Sequence, residues 1–274
     1  MNQFELKKTL QLNENGFPAA GFHFNNDTKP QNEYEFDPKE VINVLTEAQN
    51  GLKYLEIGVD QGATFDNIKN VSIKHGVDPY GSSKNITHRM SSQMFFTMNK
   101  YFFKQKYDVI FIDALHLFDV VQHEIQESLK ILEDDGLIIL HDTCPFSEAS
   151  QKILLNDFEN ILNDVISADE KKRLSWHENT QKNQPIGFNG DVWKNVAWWR
   201  SNSDYTVFSI PNACISIISK QNLPAFDSNN KLKNLSEEKM NWNLYYNLFQ
   251  QLMNPFTFNY FKQNIEFKRV NNET

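Results

Sequence analysis

The sequence predicts an α/β fold in which helices wind over both faces of a mostly parallel sheet. Short apolar runs alternate with helical stretches between residues 52 and 140. Two of these runs, 107–112 and 136–140, are almost entirely apolar, which is typical of strands buried on both faces. Strands that alternate with helices form parallel sheets with right-handed crossovers. The expected class is therefore a doubly wound α/β domain.

The elements are expected in a regular order. The predicted strands are 52–57, 71–77, 107–112, 136–140, 205–210 and 214–219, the last two joined as a hairpin. The predicted helices are 37–49, 64–70, 92–103, 118–132, 148–166 and 236–261, the last with a break at Pro255. The chain therefore divides into three parts. Residues 1–50 form an N-terminal appendage with one helix, irregular over 1–36, and residues 51–220 form the main domain, with an insertion at about 147–203. Residues 221–274 form a helical tail.

Composition and charge limit the classes of partner that the protein is expected to bind. The formal net charge is −8 and no dense basic run occurs, which argues against a nucleic-acid partner. Apolar runs are far shorter than the ~20 residues that cross a bilayer, and the N-terminus has no signal-peptide pattern, so we expect no membrane partner. The two cysteines, Cys144 and Cys214, lack metal-site spacing. We expect free thiols and a cytoplasmic protein, although one disulfide is an open alternative.

A glycine loop follows the first strand and precedes a helix. Glycines at Gly58 and Gly62 permit a sharp turn and a close approach to a ligand at the carboxyl edge of the sheet. The middle glycine of the dinucleotide fingerprint is missing, and Glu56 precedes the loop. This pattern favours a cofactor with a cationic sulfonium and no pyrophosphate, while a plain tight turn is the alternative.

An acid also ends the second strand. Asp78 lies where a carboxylate can accept hydrogen bonds from both hydroxyls of a ribose. The alternative is a simple turn residue before Pro79.

These residues carry a family resemblance. The segment 54–142 resembles class I methyltransferases that use S-adenosylmethionine (SAM), above all macrocin- and mycinamicin-type sugar O-methyltransferases, which are related to catechol O-methyltransferase. The matching positions are Glu56, Gly58, Gly62, Asp78, Ser92, Phe95, Phe96 and the run 190–194. The resemblance implies a Rossmann-like domain with a seven-stranded sheet, and SAM held by Glu56, Gly58, Gly62, Asp78, Ser92 and Asp113.

Two later strands end in acids. Asp113 follows one and His141-Asp142 follows the next, so both groups emerge at the same edge of the sheet, with His116 three residues after Asp113. The resemblance implies that Asp113 and Asp142 bind a divalent metal such as Mg²⁺ or Mn²⁺, and that His116 is the general base. The relatives have an acid where this chain has His141. This histidine is then a ligand for a softer metal, a second base, or a sign that no metal is used.

The acceptor site is expected around Asp191 and Trp193. Aromatic rings stack on the apolar faces of sugars, but the tryptophans of this region fit a core or a subunit interface equally well. The leading hypothesis is methylation of a hydroxyl on a sugar, or on a glycosylated or nucleotide-linked small molecule. The aromatic tail could also join two copies of the chain.

Two rival functions fit parts of the sequence. Asp113, His116 and His141 form the facial set of non-haem Fe(II) oxygenases. That alternative leaves Glu56 and Asp78 unexplained. A non-catalytic subunit with the same fold is the other rival, and a methyl-transfer assay separates it from the enzyme.

Overall fold

The computed structural model describes residues 36–145, 148, 150–151, 189–228 and 230–265. The irregular segment predicted before residue 36 lies outside the described residues. So does nearly all of the predicted helix 148–166, with most of the polar stretch that leads to Asn189.

One sheet organises the chain. Its strands are β1 (Leu52–Ile57), β2 (Val71–Val77), β3 (Tyr107–Ile112), β4 (Leu132–Leu140), β5 (Thr206–Ile210) and β6 (Ile215–Ser219). They lie in the order β2-β1-β3-β4-β6-β5. The pairs β1–β2, β1–β3 and β3–β4 are parallel, whereas β6 runs antiparallel to both β4 and β5. The predicted fold class and the predicted hairpin are confirmed.

The strand count is a correction. The sheet has six strands over the described residues, not the seven that the family resemblance implies. After β2 the chain returns towards the sheet but pairs with it only as an isolated bridge, between Val77 and His88. Apart from that bridge, residues 78–91 form turns and bends, and no further strand pairs beyond β2 there.

The helices cover both faces of the sheet. They are α1 (Pro38–Ala48), α2 (Ser92–Met98), α3 (Phe118–Ile131), α4 (Trp193–Asn202), α5 (Trp242–Met253) and α6 (Phe258–Asn264). Two helix predictions were too long. The segment 64–70 forms only a short 3₁₀ turn, Phe65–Asn67, and α2 gives way to a π-helical turn, Asn99–Phe103. The predicted break in the tail is confirmed, because Pro255 lies between α5 and α6.

Alternation along β3 shows how the two faces are filled. Ile110 and Ile112 belong to the core that includes α3 and α5, whereas Val109 and Phe111 belong to the core that includes α1 and α6. Successive side chains of a strand point to opposite faces, so a strand buried on both sides is nearly all apolar, and in β3 the one charged residue is Asp108, whose Oδ2 accepts from Lys53 N–H. The tail packs on the core, where the Tyr245 ring of α5 lies 4.7 Å from that of Trp193.

The parallel strands bring their carboxyl ends together. The residue that follows each of β1, β3 and β4 still hydrogen-bonds to the last residue of a neighbouring strand. Gly58 N–H donates to Val77 O at 2.9 Å, Asp113 N–H to Ile57 O at 2.8 Å, and His141 N–H to Ile112 O at 3.1 Å. The loops after β1, β2, β3 and β4 are thereby held at one edge, where ligands bind in such sheets.

Candidate active site

Four side chains meet at this edge. His116 Nε2 lies 3.3 Å from Asp113 Oδ1 and 3.2 Å from Asp142 Oδ2. His141 Nδ1 lies 3.1 Å from Asp113 Oδ1 and 3.4 Å from Asp142 Oδ2. These side chains keep between 13% and 27% of their surface exposed, so solvent and small molecules reach them. We call Asp113, His116, His141 and Asp142 the Asp–His cluster.

The carboxylates and imidazoles of the Asp–His cluster shift one another's pKa values towards the charged forms. Burial alone would lower the pKa of His116, but Asp142 and Asp113 raise it above its ordinary 6.5. The same two carboxylates outweigh burial at His141 and raise its pKa well above the ordinary value. Burial would raise the pKa values of Asp113 and Asp142, but the histidines hold both below the usual range. The carboxylates therefore stay ionised and favour a positive charge between them.

The cluster also fits a divalent cation. Asp113, His141 and Asp142 each offer one ligand atom, and these atoms lie within 4.8 Å of one another. Two carboxylate oxygens are hard ligands that Mg²⁺ and Mn²⁺ accept, whereas the imidazole nitrogen suits Mn²⁺ or Fe²⁺ better than Mg²⁺. The residues present therefore match a metal site with a mixed oxygen and nitrogen donor set.

The glycine loop packs directly on the chain that carries Asp113. Gly58 has φ +89°, and a Cβ atom added there would lie 2.0 Å from Asp113 O. Gly62 has φ +85°, and a Cβ would lie 2.5 Å from the Asp66 carboxylate. Both positions favour glycine for conformation, and Gly58 also needs it for space, because its neighbour is the main chain of Asp113. The loop predicted to hold the cofactor thus lies next to the Asp–His cluster.

Asp78 holds two loops together. Its Oδ2 accepts from the N–H groups of Val59 and Asp60 at 3.0 and 2.8 Å. Its Oδ1 accepts from the N–H groups of Tyr80 and Gly81 at 2.7 and 2.6 Å. A carboxylate has about four acceptor positions. A ribose hydroxyl that binds Asp78 must therefore replace or share one of these backbone bonds.

Glu56 lies beneath the glycine loop. It is 1% exposed, the Tyr54 hydroxyl donates a short hydrogen bond to it, and the Phe65 N–H also donates to its carboxylate. Burial raises the pKa of Glu56 to about 8, although the bond from Tyr54 opposes this rise. In the described structure Glu56 therefore supports the turn that follows the loop, by bonding to the N–H of Phe65.

Ser92 faces an acid that sequence reasoning missed. Its hydroxyl bonds to Glu124 of α3, which is 1% exposed. Burial raises the pKa of Glu124 to about 7, while Ser92 and the nearby His116 act in the opposite direction. In the sequence Glu124 looks like any acid on a helix, and only the packing of α2 against α3 reveals its burial.

The acid at Glu124 carries a stability prediction. Its pKa in the folded state is raised from 4.5 to about 7, so the folded protein binds the proton more tightly and loses stability as the pH rises through this window. Glu124→Gln should be more stable than the wild type above pH 7 by up to about 3 kcal/mol, and the gain should shrink towards pH 4.5. Urea unfolding at both pH values measures it.

The matched control for Glu124→Gln is Glu47→Gln on the exposed side of α1. We expect no pH-dependent gain from it. An equal stability of Glu124→Gln and the wild type at high pH would show that the buried carboxylate is not strained by burial.

Asp191 and Trp193 have partners inside the protein. Asp191 is 3% exposed and accepts from the N–H of Phe118 at 2.7 Å and from Lys194 Nζ at 3.0 Å. Trp193 is fully buried, and its Nε1 donates to Gln151 Oε1 at 2.8 Å. The structure thus places both residues in the core behind the Asp–His cluster, and their predicted contact with an acceptor stays a prediction.

Comparisons with known proteins agree with this geometry. Residues 55–143 match the model of a family described as a methyltransferase domain. That segment contains the glycine loop, Asp78 and the whole Asp–His cluster. No curated protein matches the chain. In the described part of the chain, no helix has the length and apolar character needed to cross a membrane.

Solved structures with similar folds are distant in sequence. An O-methyltransferase from Bacillus cereus in complex with SAH shares 15% identity over 80% of this chain and 92% of its own, with a TM-score of 0.37. The O-methyltransferase TomG from Streptomyces achromogenes, in complex with SAM, shares 11% over 66% and 78%, with a TM-score of 0.37. MycE from the mycinamycin pathway, in complex with Mg and SAH, shares 10% over 75% and 52%, with a TM-score of 0.35.

The chain spans about half the length of some of these proteins, including 47% of a putative SAM-dependent methyltransferase from Streptococcus mutans. Every TM-score is below 0.5. Residues 55–143 thus match a methyltransferase-domain family model, and the described residues form a mostly parallel α/β sheet around that segment. The Fe(II) oxygenase alternative is not favoured.

Proposed function

We propose that this chain is a SAM-dependent O-methyltransferase. Its acceptor would be a hydroxyl group of a sugar, or of a glycosylated or nucleotide-linked small molecule, as the sequence motifs of residues 54–194 suggest. The observation that carries the proposal is the Asp–His cluster beside the glycine loop, because O-methylation needs a base next to the methyl donor. Residues 51–220 form the catalytic domain in this proposal.

His116 is the base in this mechanism. A hydroxyl is a poor nucleophile until its proton leaves, and an imidazole within hydrogen-bond reach can accept that proton. Asp142 and Asp113 contact His116 Nε2 at 3.2 and 3.3 Å, so they orient the ring and stabilise the imidazolium that forms. His141, bound to the same carboxylates, is the second candidate base.

A divalent cation would be held by Asp113, His141 and Asp142. When bound, it supplies positive charge that lowers the pKa of the acceptor hydroxyl. The chain's own part is to keep both carboxylates ionised and close together. The convergence of the three ligand atoms, which lie within 4.8 Å of one another, supports this part of the proposal.

SAM is proposed to lie along the glycine loop, with its methionine end near Gly58 and its ribose at Asp78. Gly58 packs on the main chain of Asp113, so a ligand at the loop has the Asp–His cluster beside it. SAM supplies an electrophilic methyl group. The protein accelerates transfer mainly by holding donor and acceptor in line. Titration with SAM tests cofactor binding. Methyl transfer is tested by the release of S-adenosylhomocysteine (SAH) from SAM in the presence of a panel of glycosides.

Asp78→Ala should weaken SAM binding by about 1.5–3 kcal/mol, the range for a hydrogen bond to a charged group. The physical reason is twofold, because Asp78 also holds Val59 and Asp60 of the loop in place. Calorimetric titration of SAM into the folded variant measures the change.

Asp134→Ala is the control for Asp78→Ala. Asp134 is an exposed acid near the start of β4, at the opposite end of that strand from Asp142. The variant removes the same charge without touching the glycine loop or the backbone bonds of Asp78. An Asp78→Ala protein that folds and keeps wild-type affinity, or an equal loss in Asp134→Ala, would contradict the assignment.

A further inference from the structure

We propose that the tripeptide 189–191 is a positioning element for the Asp–His cluster, and we call it the 189–191 clasp. It fixes which oxygen of Asp142 faces the histidines, and it fixes the main chain that carries His116. This inference rests on the proposed function for its catalytic consequence, but the arrangement itself can be measured without catalysis.

Asn189 sets the orientation of Asp142. It is fully buried, and its Nδ2 donates to Asp142 Oδ1 at 2.8 Å. The other oxygen, Oδ2, is the one that lies 3.2 Å from His116 and 3.4 Å from His141. Asp142 itself has φ +54°, in the left-handed region that few residues other than glycine adopt. The Asn189 amide, together with the Cys214 thiol at 4.0 Å from Oδ1, thus occupies one side of the carboxylate and leaves the other side for the cluster.

Asp191 sets the position of His116. Its N–H donates to His116 O at 3.1 Å, and its Oδ1 accepts from Phe118 N–H at 2.7 Å. These two bonds hold the main chain at His116 itself and two residues later, where α3 begins. The first N–H groups of a helix lack partners within the helix, so the Asp191 carboxylate also satisfies one of them.

Gly190 lets the two chains come this close. It has φ +61°, and a Cβ atom added there would lie 1.9 Å from His116 O. No side chain fits at that distance. The main chain around Gly190 therefore rests directly on the main chain of His116.

The clasp is itself anchored. The N–H groups of Asn189 and Gly190 both donate to Ser150 O, at 2.8 and 3.2 Å, and Lys194 Nζ bonds to Asp191 Oδ2 at 3.0 Å. The loops after β3 and β4 are separate in sequence, and these bonds join them through a third segment. A buried element whose bonds reach both loops acts through His116 and Asp142, so we assign it a positioning role.

The test uses substrate-free protein first. Imidazole N–H groups that donate to carboxylates exchange slowly enough to give downfield proton resonances, so His116 and His141 report the arrangement by NMR. Asn189→Leu should remove or shift these resonances, because Asp142 loses the donor to its Oδ1. Asn99→Leu is the control: Asn99 is also buried, but it bonds to Gln105, away from the cluster, and should leave the resonances in place.

Two further variants separate positioning from folding. Gly190→Ala should displace His116 and lower kcat roughly 10²-fold, the cost of a misplacement of about 1 Å, while KM for SAM changes little. Asp191→Ala should shift the His116 resonance, whereas Asp191→Asn should restore it, since an amide oxygen still accepts from Phe118 N–H. If Gly190→Ala fails to fold, the Asp191 pair and Asn189→Leu decide the question.

Unchanged imidazole resonances in folded Asn189→Leu and Asp191→Ala would overturn the clasp. A wild-type protein without methyl transfer but with variant-sensitive resonances would instead contradict the proposed function and leave the clasp standing. The two failures are therefore distinct.

Discussion

We expect His116→Ala to lose turnover by ~10²–10⁴-fold while it still binds SAM, because removal of a positioned base has this cost and the glycine loop is untouched. The ring lies between two carboxylates that raise its pKa above the ordinary 6.5. A base works in its neutral form, so the turnover of the wild type should fall as the pH is lowered through that raised pKa. Steady-state kinetics across pH, with a parallel SAM titration, measures both effects.

His123→Ala is the matched control for His116→Ala. His123 is exposed on α3, a few residues beyond the cluster, and its removal should change neither the rate nor the pH profile. If His116→Ala turned over at the wild-type rate across the same pH range, His116 would be excluded as the base. His141 would then take that role, since its Nδ1 contacts the same two carboxylates.

Much of the fold could be predicted because buried strands are visible in the sequence as short apolar runs. A strand buried on both faces is almost entirely apolar, as β3 is apart from Asp108, so its position and its parallel neighbours follow from the sequence. The short turn at Phe65–Asn67 could not be predicted, because the periodicity there is too brief to separate a helix from one turn. The family resemblance implies a seventh strand, but the sheet of the described residues has six, and no local pattern in the sequence specifies this difference.

The Asp–His cluster was predictable for a topological reason. Parallel strands end at one edge, so acids and histidines that follow two such strands must come together there, as Asp113 and Asp142 do. Asn189 had no comparable signal, because it reaches Asp142 from a segment 47 residues further along the chain. Sequence reasoning also could not see that backbone N–H groups surround Asp78, since only the folded loops supply them.

Removal of divalent metal should abolish turnover, and Mg²⁺ or Mn²⁺ should restore it. The reason is electrostatic: Asp113 and Asp142 stay ionised a few ångströms apart, and the residues of the cluster offer three convergent ligand atoms. Dialysis against EDTA followed by metal titration measures turnover. Mn²⁺ binding, followed by electron paramagnetic resonance without acceptor, gives a second readout that does not depend on catalysis.

A pair of variants makes the metal experiment specific. Asp142→Asn keeps the shape of the ligand but removes its charge, and should weaken Mn²⁺ binding by roughly 10–100-fold or more, as loss of groups that support a metal site does. Asp119→Asn removes an exposed acid from the first turn of α3 and should bind Mn²⁺ as the wild type does. Full turnover after exhaustive chelation would contradict the metal requirement. The two imidazoles would then supply the positive charge between the carboxylates, and His116 or His141 would take the proton of the acceptor without a metal. His141, which stands where the relatives have an acid, would explain this difference.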